Sequence, residues 1–237
     1  MQVSGRVVTL RLAETFVISR SAQDTAEVVH VELGHDGVRG VGEAAPIERY
    51  DESAESALAY IEAHADRVGD DPFALEEILD RLPREQFAAR SALDGALHDL
   101  CGRLLGVPVW RLLGLPRSGP PTSWTIWLGD PDDMARRAAK VGDRFLRLKL
   151  KLGARDGLDV ERVKAVRAAT LAPLQVDVNE YWTLDEVAPG LWRYTVERNG
   201  LPPTMTAYVL CDGEDTIAVD RSSPAGLSLS WRHSTRS

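Results

Sequence analysis

The sequence predicts an α/β protein that opens with an α+β unit, and three observations carry that reading. Residues 1–118 begin with alternating, strand-like runs and pass to helical spacing. Residues 119–187 then repeat strand, helix, strand, helix, strand. From 188 onward the chain returns to short alternating runs broken by turn signals. Strand side chains alternate between faces, whereas helical ones recur every three or four positions, so each change of period marks a change of architecture. The expected organisation is an N-terminal α+β unit over 1–118, a parallel sheet or partial barrel of about three βα units over 119–187, and a β-hairpin tail over 188–237 that frays at its end.

In chain order, residues 6–12 (RVVTLRL) and 26–33 (AEVVHVEL) alternate as strands, with a polar loop over Ile18–Asp24 between them. His35-Asp36-Gly37 supplies turn chemistry, and Val38–Glu43 continues as a third strand of a meander. Its Gly40 and Gly42 lack a dinucleotide-binding context and read as turn glycines. A loop over Ala45–Glu52 precedes a helix that Asp51 or Ser53 can cap, with Ala57, Leu58 and Ile61 inside it. A short helix near Phe73–Leu82 stops at Pro83. The long helix Glu85–Leu105 carries Leu93, Leu97, Leu100 and Leu104 on one stripe and ends at Gly106.

After the connection Arg117–Pro121, Thr122–Leu128 reads as a strand. Asp130 is placed to cap a helix that has Pro131 at its first position, acids in its first turn and bases towards its end. The next strand, Phe145–Gly153 (FLRLKLKLG), has Leu146, Leu148, Leu150 and Leu152 on one face and Arg147, Lys149 and Lys151 on the other. A helix over Gly157–Ala169 is expected to bury Val160, Val163 and Val166. The strand Leu174–Asn179 (LQVDVN) follows, and Thr183–Glu186 opens another helix. In the tail, Asn199-Gly200 and Asp212-Gly213 mark turns.

Composition narrows the function classes. A net charge of −8 with no Lys/Arg block argues against nucleic-acid binding. No apolar run is long enough to cross a membrane as a helix, and the N-terminal residues lack a signal pattern. Two widely separated cysteines suit a reducing, cytoplasmic setting. No nucleophile elbow, phosphate loop, HExxH or CxxC arrangement is present. His98, four residues after Asp94 on the long helix, suits a local pair, and His30, His35, His64 and His233 have no ligand-spaced partners. The cations of Phe145–Gly153 allow two readings: an amphipathic strand with a wet face, or a barrel strand whose leucines face a helical jacket while Lys149 and Lys151 point at a buried site. Two like charges on one strand face, once buried, favour the neutral amine that a proton acceptor requires.

Five segments occur in an order that resembles the enolase superfamily, within its muconate-cycloisomerase-related, dipeptide epimerase branch. They are Gly42–Glu52 (GEAAPIERYDE), Ala89–Asp99 (ARSALDGALHD), Thr122–Ile126 (TSWTI), Lys149-Leu150-Lys151 and Asp177-Val178-Asn179. The resemblance runs over about residues 1–187. It implies an enolase-like capping domain followed by a TIM-type (β/α) barrel, incomplete here, and proton abstraction α to a carboxylate with the enediolate held on Mg2+. By this resemblance Lys151 is a base/acid lysine, Lys149 an electrostatic helper and Asp177 a metal ligand. Thr125 and Asn179 line the substrate pocket. Loops around Arg20 and around Ile47–Tyr50 close over the substrate, with Arg20 facing a side-chain carboxylate.

The substrate implied is a small molecule, a dipeptide of the L-Ala-D/L-Glu kind, with no nucleic-acid or membrane partner; association into a homo-oligomer is compatible with it. Cycloisomerisation, o-succinylbenzoate formation, or a non-catalytic binding role are the alternatives. The sequence departs from the family after the third βα unit, where no match to the later carboxylate ligands or the opposing lysine follows. Reduced or absent epimerase activity is therefore expected. The segment Val187–Asp220 is instead faintly similar to the opening strands of metallo-β-lactamase-fold hydrolases, without the HxHxDH motif of that fold.

Overall fold

The structure is a computed structural model of the 237-residue chain. It describes residues 1–179 and 181, together with the backbone of residues 191–195, 206–212 and 215–219. The chain divides into two compact units, one of residues 1–15 and 23–120, the other of residues 16–22 and 121–237.

The first unit holds a sheet in the order β1-β2-β3, made of β1 (Gln2–Val17), β2 (Ala22–His35) and β3 (Val38–Ala44). β2 and β3 are antiparallel, and His35 stands opposite Val38 across Asp36-Gly37, both at positive φ as a tight hairpin turn requires. Both β1 and β2 run further than alternation indicated, so the loop expected over Ile18–Asp24 contracts to residues 18–21. Towards that loop, the added residues are exposed at 13–15 and at 22–25, so burial imposes no pattern there for the sequence to display.

Four helices follow: α1 (Ala54–Ala63), α2 (Leu75–Arg81), α3 (Phe87–Leu105) and the one-turn α4 (Val109–Leu112). Ser53, not Asp51, caps α1: its hydroxyl accepts the Ser56 N–H at 3.1 Å, and the Ser56 hydroxyl accepts the Ser53 N–H at 2.9 Å. The residue before α3, Gln86, is left-handed and offers no side-chain cap. The buried carboxylate of Glu52 takes that place, accepting the N–H groups of Phe87 and Ala88. Gly106 ends the helix at φ 66, donating its N–H to the Arg103 carbonyl.

Val29, Val31 and Leu33 of β2 pack with Ile61, Ile78, Leu93, Leu97 and Leu100 in the core of this unit. Gly40 and Gly42 are not turn glycines. They lie within β3, opposite Leu33 and Val31. A methyl group at Gly40 would stand 2.3 Å from the Ala96 carbonyl oxygen, and one at Gly42 2.0 Å from that of Ala92. Their missing side chains let the small-residue face of α3 lie directly on the sheet.

The second unit holds a parallel sheet in the order β4-β5-β6, made of β4 (Ser123–Ile126), β5 (Arg147–Lys151) and β6 (Leu174–Asp177). Crossover helices α5 (Pro131–Val141) and α6 (Asp159–Ala169) join these strands. Ile126, Leu148, Leu150 and Val176 are buried with Met134, Ala138, Val141 and Val166. Asp130 occupies the N-cap of α5 but makes no side-chain cap hydrogen bond.

Two apolar placements are corrected. Leu146 is 70% exposed because it precedes β5 and so is not bound by its alternation. Val160 is 59% exposed, because at 3.6 residues per turn it lies about 120° around α6 from Val166. The buried side of α6 is instead Arg162 and Val166, flanked by Val163. Among the described residues the parallel sheet has three strands and does not close into a barrel. The helix expected from Thr183 and the turn at Asn199-Gly200 lie outside the described residues. In the tail, β7 (Leu191–Thr195), β8 (Thr206–Asp212) and β9 (Asp215–Val219) form an antiparallel sheet with Asp212 opposite Asp215; Gly213, of the turn expected there, lies outside the described residues.

Candidate active site

The parallel register decides which polar residues meet. Thr125, Lys149 and Gln175 stand abreast on β4, β5 and β6, and one step nearer the C-terminal strand ends Lys151 pairs with Asp177. These positions alternate with the buried Ile126, Leu148, Leu150 and Val176, so they share the face turned away from the helices.

Asp177 is the centre of the cluster. Its Oδ2 lies 2.7 Å from Lys149 Nζ and 2.6 Å from Lys151 Nζ. Lys151 also donates to Asn179 Oδ1 at 2.9 Å, and the Asn179 N–H donates to Asp177 Oδ1 at 3.0 Å. Asn179 reaches back in this way from a left-handed backbone at φ 48. The Asp177 and Lys151 side chains are 5% and 10% exposed, whereas Lys149 is 36% exposed. Burial pushes the Asp177 carboxyl up. Hydrogen bonds from Lys149 and Lys151, the Lys151 charge and the Asn179 N–H outweigh it and hold the group below its ordinary value. By strand alternation alone, the two lysines face only each other's like charge. In the fold a carboxylate sits between them, so each faces an opposite charge.

The remaining expected site residues fall on three segments of the chain. Thr125 is half-buried, beside Lys149 by register. Arg20 is exposed on the 16–22 segment, which belongs to this unit. That segment is tied to the strand ends by the Leu128 N–H to the Val17 carbonyl at 2.9 Å and the Ser19 hydroxyl to the Val178 carbonyl at 3.3 Å. Ile47 and Tyr50 belong to the other compact unit, flanking and closing a 3-10 turn, and are 54% and 66% exposed. Gln175 was not singled out from the sequence. It accepts the Ser123 hydroxyl at 3.1 Å, and its position two residues before Asp177 was the available signal. His98 Nδ1 lies 3.0 Å from Asp94 Oδ1, the local pair expected.

A magnesium ion takes about six oxygens in near-octahedral array. Among the described residues no three His, Cys, Asp or Glu side chains converge on a metal-sized site, and both Asp177 oxygens already accept hydrogen bonds. The described residues therefore do not by themselves fit the ion.

Comparison with known proteins agrees with the architecture. Residues 3–114 match the mandelate racemase / muconate lactonizing enzyme N-terminal domain. The chain is 36% identical over 177 residues to the L-Ala-D/L-Glu epimerase of Bacteroides thetaiotaomicron, covering 73% of this chain and 46% of that protein. It is 37% identical over 179 residues to the L-Ala-D/L-Glu epimerase of Escherichia coli, covering 73% and 53%. Among solved structures it is similar to the dipeptide epimerase of Enterococcus faecalis complexed with Mg and L-Leu-L-Tyr. That match has a TM-score of 0.72 at 31% identity and covers 78% of this chain and 55% of the other. The chain spans about half the length of the curated relatives it matches.

Proposed function

From a chain that belongs to the enolase superfamily as a dipeptide-epimerase-like protein, we propose a racemase/epimerase-type site that moves a proton on the carbon α to a carboxylate. The observation that supports it most is the convergence of Lys149 and Lys151 on the buried Asp177 at the C-terminal ends of parallel strands, where α/β barrels carry their chemistry. In this proposal Lys151 Nζ, once it has given up a proton, accepts the substrate's α-proton and later returns one to the same carbon. Lys149, the more exposed ammonium, pairs with the substrate carboxylate as negative charge builds on its oxygens. Asp177 and Asn179 hold Lys151 in place, and Thr125 borders the substrate.

The substrate we propose is a dipeptide of the L-Ala-D/L-Glu kind, with Arg20, Ile47 and Tyr50 as its selecting residues. The E. faecalis dipeptide epimerase structure supports magnesium as the ion of this family. Asp177 would give it one oxygen, the described residues give it no other carboxylate, and no step here runs through it. Inversion needs a second base on the opposite face of the α-carbon. The described lysine pair lies on one strand face, so exchange that outpaces inversion is expected. We further place the protein in the cytoplasm, a reading supported by the buried free thiol of Cys101; no helix of the described residues is long and apolar enough to cross a membrane.

The double ion pair also supports a second reading, in which the cluster is purely structural. Incubating the full chain with L-Ala-L-Glu and MgCl2 in D2O separates the two. Deuterium entering the α-position of the C-terminal residue, and absent with Lys151→Ala, is the expected result. No incorporation by the native chain, or equal incorporation by the variant, contradicts the proposal.

A further inference from the structure

We propose that Arg162 is a positioning residue for Lys151, an inference that rests on the role of Lys151 given above. Arg162 is 3% exposed, on the side of α6 where an apolar residue would ordinarily pack. All three guanidinium nitrogens are engaged. Nε donates to the Gly129 carbonyl at 2.7 Å, in the loop leaving β4. Nη1 donates to Asp156 Oδ1 at 2.7 Å and to Asp159 Oδ1 at 3.1 Å, and Nη2 donates to Asp156 Oδ2, so the contact with Asp156 is two-pronged.

The network continues to the lysine. Asp159 Oδ2 accepts the Gly153 N–H at 2.9 Å, and the Leu152 N–H donates to the Asp177 carbonyl at 3.2 Å. Gly153 is two residues beyond Lys151 and adopts φ 94. A side chain at Gly153 would stand 3.0 Å from Tyr181 Cβ, 3.2 Å from the Val178 carbonyl and 3.5 Å from Ser19 Cβ. Three segments therefore meet at that glycine: the loop after β5, the end of β6 and the 16–22 segment. Gly129, at the other end of the network, is covered by the Arg137 guanidinium, which itself lies 4.4 Å from the centre of the Trp127 ring. One buried cation thus fixes the loops after β4 and β5 to each other. Lys151, at the end of β5, inherits its place from them. Lysine can substitute only in part, because its single ammonium does not match the planar fork that reaches three partners.

The test is nitrogen-15 NMR of the lysine side chains in the full chain. The Lys151 ammonium, buried and held by Asp177 and Asn179, is expected to give a slowly exchanging Nζ–H signal. Arg162→Met should raise its exchange about tenfold or more, the scale of one lost charge-assisted hydrogen bond, while the amides of α5, in the same unit, keep their protection. Arg162→Lys should recover part of the loss. An unchanged Lys151 signal in folded Arg162→Met overturns the inference, as does a native chain without the signal. Parallel loss of protection in α5 overturns it too, since it would show only a general stability effect. If Arg162→Met does not fold, Asp156→Asn, which weakens the fork at its more exposed partner, carries the same expectations. This readout needs no turnover. Absence of α-proton exchange therefore contradicts the proposed function without touching it. Where exchange is measurable, Arg162→Met should lower kcat by about tenfold to a hundredfold with little change in KM.

Discussion

Asp177 accepts two ammonium groups on one oxygen and a backbone N–H on the other, and this sets the consequences of altering it. Asp177→Asn leaves Lys151 buried opposite a neutral amide, and the second unit should lose about 3 kcal/mol, the scale for breaking a buried pair from one side. Lys149→Met, at a partly exposed position, should cost about 1 kcal/mol or less. Urea denaturation of both variants checks the ordering. At the other charge cluster, hydrogen bonds from the Arg162 guanidinium hold Asp156 down at about 2. A carboxyl lowered on folding adds stability above its unfolded value and forfeits it as pH falls through the folded one. The Asp156 contribution should therefore be complete near neutrality and fade between about pH 4 and about pH 2. An acid titration of native and Asp156→Asn chains should converge below that window. Alternation in FLRLKLKLG revealed which face the lysines share. It could not reveal that Asp177 would lie between them, because register comes from tertiary pairing. Arg162 was not legible at all, since an arginine among valines reads as the wet side of a helix.

At the scale of elements, β3 and α3 touch backbone to backbone. Gly42→Ala would drive a methyl into the Ala92 carbonyl and should destabilise the first unit by about 3 kcal/mol, at the upper end for overpacking. Gly95→Ala, exposed on α3 with open space around it, should instead stabilise by about 0.5–1 kcal/mol through helix propensity. Chemical denaturation of the pair measures both signs. The long helix and the parallel repeat were readable because their apolar spacing runs over many residues. The ends of β1 and β2 were not, because exposed paired backbone leaves no mark on the side-chain pattern. Gly40 and Gly42 misled for a related reason: a glycine needed for close approach looks, in sequence, like one needed for a turn.

Across the whole molecule, the core of the first unit draws on residues from Met1 to Leu104. Residues 1–118 expressed alone should accordingly unfold cooperatively by circular dichroism, and a broad, non-cooperative melt would contradict that. The family and the order of its motifs were legible in the sequence. The bonding of the lysine cluster needed the fold. In the proposed chemistry Lys151 is the group that moves the proton, and Lys151→Arg tests this directly. Arginine keeps a cation opposite Asp177 but does not deprotonate in proteins. The variant should fold with a denaturation midpoint close to the native one and incorporate no deuterium at the substrate α-carbon. Incorporation at the native rate by Lys151→Arg would contradict the account.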